Sequence, residues 1–251
     1  MSGVDLTGRV VVVTGAGSGI GRATAVAFAE AGAHVLGVGR RKQALDETAG
    51  LHAGIEVFPA DICADGAPEA VVAAATGRWD RLDVLVNNAG AVAFLPLPRA
   101  TARRINELFA LNVTAPSLLS RAALPHLRRT QGSILNVSST LGQRPGGEVS
   151  HYAASKAAIE ALTRSWALEL APVRVRVNAV APGPTKTDIF VNAGLPRRIV
   201  DAMEQEEADK IPLRRWGVPE EIAVWLVRLA DPGATWLTGQ VLGVDGGQAL
   251  T

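Results

Sequence analysis

Short runs rich in Val, Ile and Leu alternate along this chain with longer stretches whose apolar positions recur about every 3.6 residues. The runs at residues 9–14, 33–38, 55–59, 82–86, 133–137, 173–180 and 240–244 read as seven strands. Helical spacing occupies residues 20–31, 100–127, 152–170 and 220–229. Strands alternating with helices of this length imply right-handed βαβ units and a parallel sheet. No repeat, low-complexity tract or long linker divides residues 1–251, so one domain is expected, with the irregular stretch 182–213 as its mobile excursion.

Composition sharpens this picture. The chain is 48% hydrophobic but only 4% aromatic, so Ala, Val, Leu and Ile must build the core. That suits helices packed closely on a buried parallel sheet. A formal net charge of +1 offers no global field to recruit nucleic acid or an anionic membrane. The acidic run 204–209 reads as a solvated helix face. Cys63 is the single cysteine, which excludes an intrachain disulfide and a thiolate metal cluster. The N-terminal stretch lacks a charged region followed by an apolar one, and no apolar run approaches the roughly 18 residues of a membrane helix. A soluble cytoplasmic protein with no metal is the expectation.

After the first strand comes Thr14-Gly15-Ala16-Gly17-Ser18-Gly19-Ile20-Gly21, then a helical pattern. Glycines here permit a tight turn and let backbone approach a pyrophosphate, which the helix N-terminus then attracts. Gly15, Ser18, Gly19 and Ile20 are therefore dinucleotide-binding candidates. The lack of a following Gly-Lys-Ser/Thr argues against a P-loop. An acidic residue after the second strand would accept from a ribose 2′-OH, yet the sequence reads Gly39-Arg40-Arg41-Lys42. An arginine fork suits a phosphate dianion. The expected cofactor is NADP(H), with Arg40 as the main 2′-phosphate ligand and Arg41 also cofactor-binding, and NAD(H) as the alternative.

Tyr152 is the only tyrosine, and it precedes Lys156 by one helical turn, so both side chains share a face. An ammonium beside a phenol stabilises the phenolate and lowers a pKa that is about 10 when unperturbed. A phenol tuned in this way exchanges a proton with an alcohol or carbonyl oxygen. Asn112 lies in a long helical pattern, and Pro116 has no N–H to offer its carbonyl.

Together with the glycine turn, Asn87-Asn88-Ala89-Gly90, Asn136-Val137-Ser138-Ser139, Tyr152 with Lys156, Pro182-Gly183 with Thr187, and Asp245-Gly246-Gly247 appear in order. Over essentially the whole chain this resembles the short-chain dehydrogenase/reductase family. The resemblance implies an α/β single-domain Rossmann fold, a doubly wound seven-stranded parallel sheet with helices on both faces. It implies an oxidoreductase moving hydride between a nicotinamide cofactor and a carbonyl or secondary alcohol. Tyr152 would be the acid or base, Ser139 would hold the substrate oxygen, and Lys156 would depress the Tyr pKa and hold the nicotinamide ribose. Asn112 would join a proton relay through water on its carbonyl. Asp61 and Ile62 would flank the adenine, Asn88 the adenosine ribose, and Thr185 and Thr187 the nicotinamide. The resemblance also favours a homotetramer built on the two long helices and the C-terminal segment.

The small-molecule substrate is less defined. Its candidate contacts are Phe94, Leu141, Gln143, Arg144, Glu148, His151 and a lid at about 188–213. The rival function is a catalytically idle dinucleotide-binding regulator. A complete set of Asn112, Ser139, Tyr152 and Lys156 argues against it.

Overall fold

The computed structural model describes residues 3–251; Met1 and Ser2, which open the stretch expected to lack a secretory signal, lie outside the described residues. Strands β1 (Val10–Thr14), β2 (His34–Gly39), β3 (Ile55–Pro59), β4 (Val84–Asn87), β5 (Ser133–Val137), β6 (Arg176–Pro182) and β7 (Val241–Val244) form one sheet, ordered β3-β2-β1-β4-β5-β6-β7. Each pairing is parallel. The helices are α1 (Gly19–Glu30), α2 (Lys42–Ala49), α3 (Ala67–Trp79), α4 (Ala102–Phe109), α5 (Ala115–Thr130), α6 (Ser150–Leu170), α7 (Ile189–Asn192), α8 (Arg197–Ala208) and α9 (Pro219–Ala230).

Successive strand residues face opposite sides of a sheet. Val11 and Val13 accordingly pack with Ala25 and Phe28 of α1 and Leu226 of α9. Val10 and Val12 pack with Val71 of α3 and Leu119 and Leu127 of α5 on the other face. Each fully buried Val, Leu or Phe contributes roughly 1.5–3 kcal/mol, so two such layers hold the sheet between them.

The structure revises several expected boundaries. The strand expected at 173–180 starts at Arg176, because a 3-10 turn ends at Val173 and Arg174 adopts the left-handed region at φ +58°. The helix expected over 100–127 is divided into α4 and α5 by a π-helical turn, Ala110–Thr114. Pro116, at the start of α5, cannot donate the bond that would continue a regular helix through residue 112. Helices α2 and α3 add to the predicted set. The stretch 182–213 is not irregular: it contains α7 and α8, and Val200 of α8 packs with Ile211 and Trp216. No described helix is long and apolar enough to cross a membrane.

Strand order reverses between β1 and β4, which lie side by side in the middle of the sheet. In open α/β sheets this reversal leaves a crevice at the carboxyl ends of the strands.

Candidate active site

A cleft of about 590 Å³ opens at that crevice and is lined by every predicted cofactor contact: Gly15, Ser18, Gly19, Ile20, Arg40, Arg41, Asp61, Ile62, Asn88, Tyr152, Lys156, Thr185 and Thr187. Ser139 lines it too.

The glycine end fits a dinucleotide because no side chain can occupy it. Gly15 has φ +70°, and a Cβ there would lie 2.8 Å from Asn88 Nδ2. A Cβ on Gly21 would collide with the Gly15 carbonyl and Asn88 Nδ2. Asn88 fixes this approach by donating from Nδ2 to the Thr14 carbonyl at 2.7 Å. Thr14 Oγ1 in turn accepts from the N–H groups of Asn88 and Ala89, so the ends of β1 and β4 are stitched together. The first turn of α1 then presents N–H groups without intrahelical acceptors, together with the positive end of its dipole. Arg41 reaches across to Ser18 Oγ at 3.4 Å, so a basic side chain borders the glycine turn. At the opposite end Thr187 packs over Gly19, and Thr185 donates to the Gly183 carbonyl at 2.9 Å.

Tyr152 and Lys156 are both buried on α6, with Lys156 Nζ 5.7 Å from the Tyr152 ring centre. Lys156 donates to the Val137 carbonyl at 2.8 Å. Burial pushes the Tyr152 pKa up, and the neighbouring Ser139 hydroxyl pulls it partly back. Burial lowers the Lys156 pKa to about 8. The expected lysine-driven depression of the phenol is therefore not the dominant effect: desolvation of both groups outweighs it while Lys156 turns to Val137. Ser138 Oγ is engaged away from the cleft, donating toward Glu160 Oε1 at 3.0 Å, which leaves Ser139 as the serine beside Tyr152.

Asn112 does not line the cleft; it lies behind it in the π-helical turn. Its Oδ1 accepts from Ala91 N at 3.0 Å, and its Nδ2 donates to Ala91 O at 2.9 Å and to Ser155 Oγ at 3.0 Å. Ser155 Oγ passes the chain on to the Tyr152 carbonyl at 2.7 Å. Asn112 thus clamps the loop after β4 to the helix that bears Tyr152.

Among the expected substrate contacts, Leu141 and residues of 188–213 line the cleft, while Phe94 lies behind it, its ring tilted against that of Phe190 at 6.1 Å. Gln143, Arg144, Glu148 and His151 stand outside. Gln143 donates to Glu160, and Arg144 to the Gln248 carbonyl at 2.9 Å. Glu148 uses its carbonyl to accept from Leu95 N, and His151 sits beside Ser150 at the start of α6. Among the cleft residues that the sequence reading did not single out are Gln248 and Glu207. Gln248 is brought in by the C-terminal turn and accepts from Thr140 Oγ1 at 3.3 Å. Glu207 belongs to the acidic run expected to be solvated, yet it lines the cleft and is half-buried.

A family model described as Enoyl-(Acyl carrier protein) reductase matches residues 15–249. The 3-oxoacyl-(acyl-carrier-protein) reductase FabG of Thermotoga maritima is 35% identical over 250 residues, covering 98% of this chain and 99% of its own. A crystal structure of a putative NAD(P) dependent gluconate 5-dehydrogenase from Beutenbergia cavernae, with bound NADP at low occupancy, superposes with a TM-score of 0.89 at 39% identity, covering 98% and 99% of the two chains. A 3-ketoacyl-(acyl-carrier-protein) reductase from Brucella melitensis complexed with NADH gives a TM-score of 0.91 at 32% identity, covering 98% and 100%. A Rossmann sheet whose crevice holds a glycine turn at one end and a buried tyrosine and lysine at the other defines a nicotinamide-dependent oxidoreductase. This chain belongs to the short-chain dehydrogenase/reductase family. It moves hydride between NAD(P)(H) and a carbonyl or alcohol, and the comparisons give no support to the idle regulatory alternative.

Proposed function

We propose that this protein is an NADP(H)-preferring carbonyl reductase, working in reverse as an alcohol dehydrogenase, with Tyr152, Ser139, Lys156 and Asn112 as its chemical machinery. The observation that carries this reading is the burial of Tyr152 beside Ser139 on the wall of the cleft that holds the glycine turn. Gly15, Ser18, Gly19 and Ile20 hold the pyrophosphate, and Arg40 and Arg41 the 2′-phosphate. Asp61, Ile62 and Asn88 surround the adenosine, Thr185 and Thr187 meet the nicotinamide, and Lys156 holds its ribose. The bound nicotinamide supplies hydride to the carbonyl carbon or accepts it from the alcohol.

Ser139 donates a hydrogen bond to the substrate oxygen and steadies its developing negative charge. Tyr152 gives its proton to that oxygen in reduction and takes it back in oxidation. Burial keeps the phenol protonated at neutral pH, the form an acid needs. Asn112 serves twice: its side chain holds Ala91 and Ser155, and its carbonyl, denied a donor by Pro116, holds the water that resupplies the proton. The segment at about 188–213 acts as a substrate lid, with Ile189, Phe190 and Ala193 on its inner side.

Exposed Leu118 on α5, Leu168 on α6 and Leu250 near the C-terminus support a homotetramer. Light scattering showing four 26.1 kDa chains is the expected result. The lone, exposed Cys63 suits a reducing cytoplasmic compartment, where it does not form bridges between chains.

The decisive experiment is NADPH oxidation against simple ketones, keto sugars and β-ketoacyl esters, with Tyr152→Phe in parallel. The variant should lose about 10²–10⁴-fold in kcat. Unchanged turnover would eliminate Tyr152 as the acid.

A further inference from the structure

The substrate end of the cleft is mainly apolar. Val92, Leu141, Ile189, Phe190 and Ala193 pack with Tyr152 in one hydrophobic cluster. Against this wall stand two carboxylates: Asp188, which is paired with Arg197, and Glu207 of α8. One turn earlier on the same helix, Glu204 is paired with Lys186. Among the described residues neither an ion pair nor a hydrogen bond reaches the Glu207 carboxylate; its backbone carbonyl accepts from Lys210 N at 3.0 Å. Burial raises its pKa, with Lys210 opposing and Glu206 adding to the shift.

A half-buried carboxylate without a partner is costly, and a ligand that supplies a donor recovers that cost. An ionised carboxylate accepts only, so the complementary ligand group must donate. We propose that Glu207 selects the substrate by accepting a hydrogen bond from a hydroxyl or amino group remote from the reacting carbonyl. The substrate class is then a largely apolar ketone, or its alcohol, with a second, hydrogen-bond-donating group. Anionic carbonyl compounds are repelled by the same side chain. This rests on the carbonyl-reductase reading and adds the chemistry of the far end of the substrate.

Cyclohexanone, 4-hydroxycyclohexanone, 4-aminocyclohexanone and 4-oxocyclohexanecarboxylate serve as matched probes. Each is tested for turnover with NADPH by the full chain, and the corresponding alcohols for binding by calorimetry. One charge-assisted hydrogen bond corresponds to a preference of about 10–100-fold for the hydroxy or amino ketone over the parent, in both kcat/KM and Kd. The carboxylate probe should fall below the parent. In Glu207→Leu the ratio should drop to about one, and in Glu207→Gln the amino preference should go while part of the hydroxyl preference stays. Glu206→Gln, on the exposed side, should keep the wild-type ratios. Glu207→Leu should also melt at or above the wild-type temperature, since it removes an unpartnered carboxylate. The amino and hydroxy arms tell which donor is preferred. Tyr152-dependent turnover of cyclohexanone without a donor preference, or a preference that persists in Glu207→Leu, overturns the role of Glu207 alone. Absence of Tyr152-dependent turnover of every probe overturns the carbonyl-reductase reading and this inference with it.

Discussion

Glu160 Oε1 accepts from Ser138 Oγ at 3.0 Å, which ties the strand end carrying Ser139 to the helix carrying Tyr152 and Lys156. Gln143 donates to both carboxylate oxygens of the same Glu160, at 3.2 and 3.3 Å. The loop can approach because Gly142 has no Cβ; one there would lie 3.1 Å from Glu160 Oε1. Replacing Glu160 by Leu leaves Gln143 without its acceptor and Ser138 with only the Lys156 carbonyl at 3.2 Å, at about 1–3 kcal/mol of stability. The loop loosens, so kcat should fall more than the Kd for NADPH rises. Urea unfolding and cofactor titration of Glu160→Leu check this, and Glu160→Gln should recover most of the activity because it keeps an acceptor oxygen.

Lys156 gives the fold a pH dependence of known sign. Its folded pKa of about 8 lies below the ordinary lysine value of 10.5, because burial disfavours the ammonium. Between those two values the unfolded chain binds the extra proton, so stability rises with pH across the window from about 8 to about 10.5. Below pH 8 the folded state bears the full cost, on the order of 3 kcal/mol. Tyr152 acts in the other direction and higher up: its raised pKa makes the unfolded chain lose its proton first, so stability falls above pH 10. Urea midpoints of wild type and Lys156→Met, compared from pH 7 to 10, should converge as pH rises. A constant difference across that range would contradict the assignment.

The parts of the site that the sequence discloses are those made by local geometry. Gly15, Gly19 and Gly21 act through the backbone they occupy, and Tyr152 and Lys156 meet because one helical turn separates them. Glu207 and Gln248 were hidden because their positions depend on distant partners. Gln248 reaches the cleft only because Asp245 folds the tail through the N–H groups of Gly247 and Ala249, and Thr140 holds it there. Glu207 turns inward because α8 docks through Val200 against Ile211 and Trp216. Pro116 marked an interruption near Asn112, but the clamp to Ala91 and Ser155 joins elements far apart in sequence. In the sheet, continuous Val runs identified β1 reliably, whereas the start of β6 depended on the left-handed turn at Arg174.

Arg40 and Arg41 make a prediction about cofactor choice. Both line the cleft beyond β2, where no carboxylate stands to accept from a ribose 2′-OH, and Arg41 already leans toward Ser18. Loss of one charge-assisted contact to a 2′-phosphate is worth about 1.5–3 kcal/mol, or roughly 10–100-fold. Arg40→Ala should raise the KM for NADPH by that factor and leave the KM for NADH nearly unchanged. A wild-type protein that favours NADH would remove the basis for assigning the 2′-phosphate to these arginines.

Asn112 permits a separation of two roles that a simple alanine variant would merge. Its side-chain amide both accepts from and donates to Ala91 while donating to Ser155, and it is buried at 2% exposure. Aspartate has the same shape but no N–H, so Asn112→Asp places a second oxygen against the Ala91 carbonyl in a buried site. The cost should be about 1–3 kcal/mol or more at neutral pH, and acid should reduce it, since a protonated carboxyl regains a donor. The backbone carbonyl proposed for the water relay is retained in that variant. If the side chain only clamps, Asn112→Asp should regain much of its kcat under mildly acidic conditions that restore its melting temperature. A kcat that stays low after stability returns would show that the amide itself takes part in proton delivery.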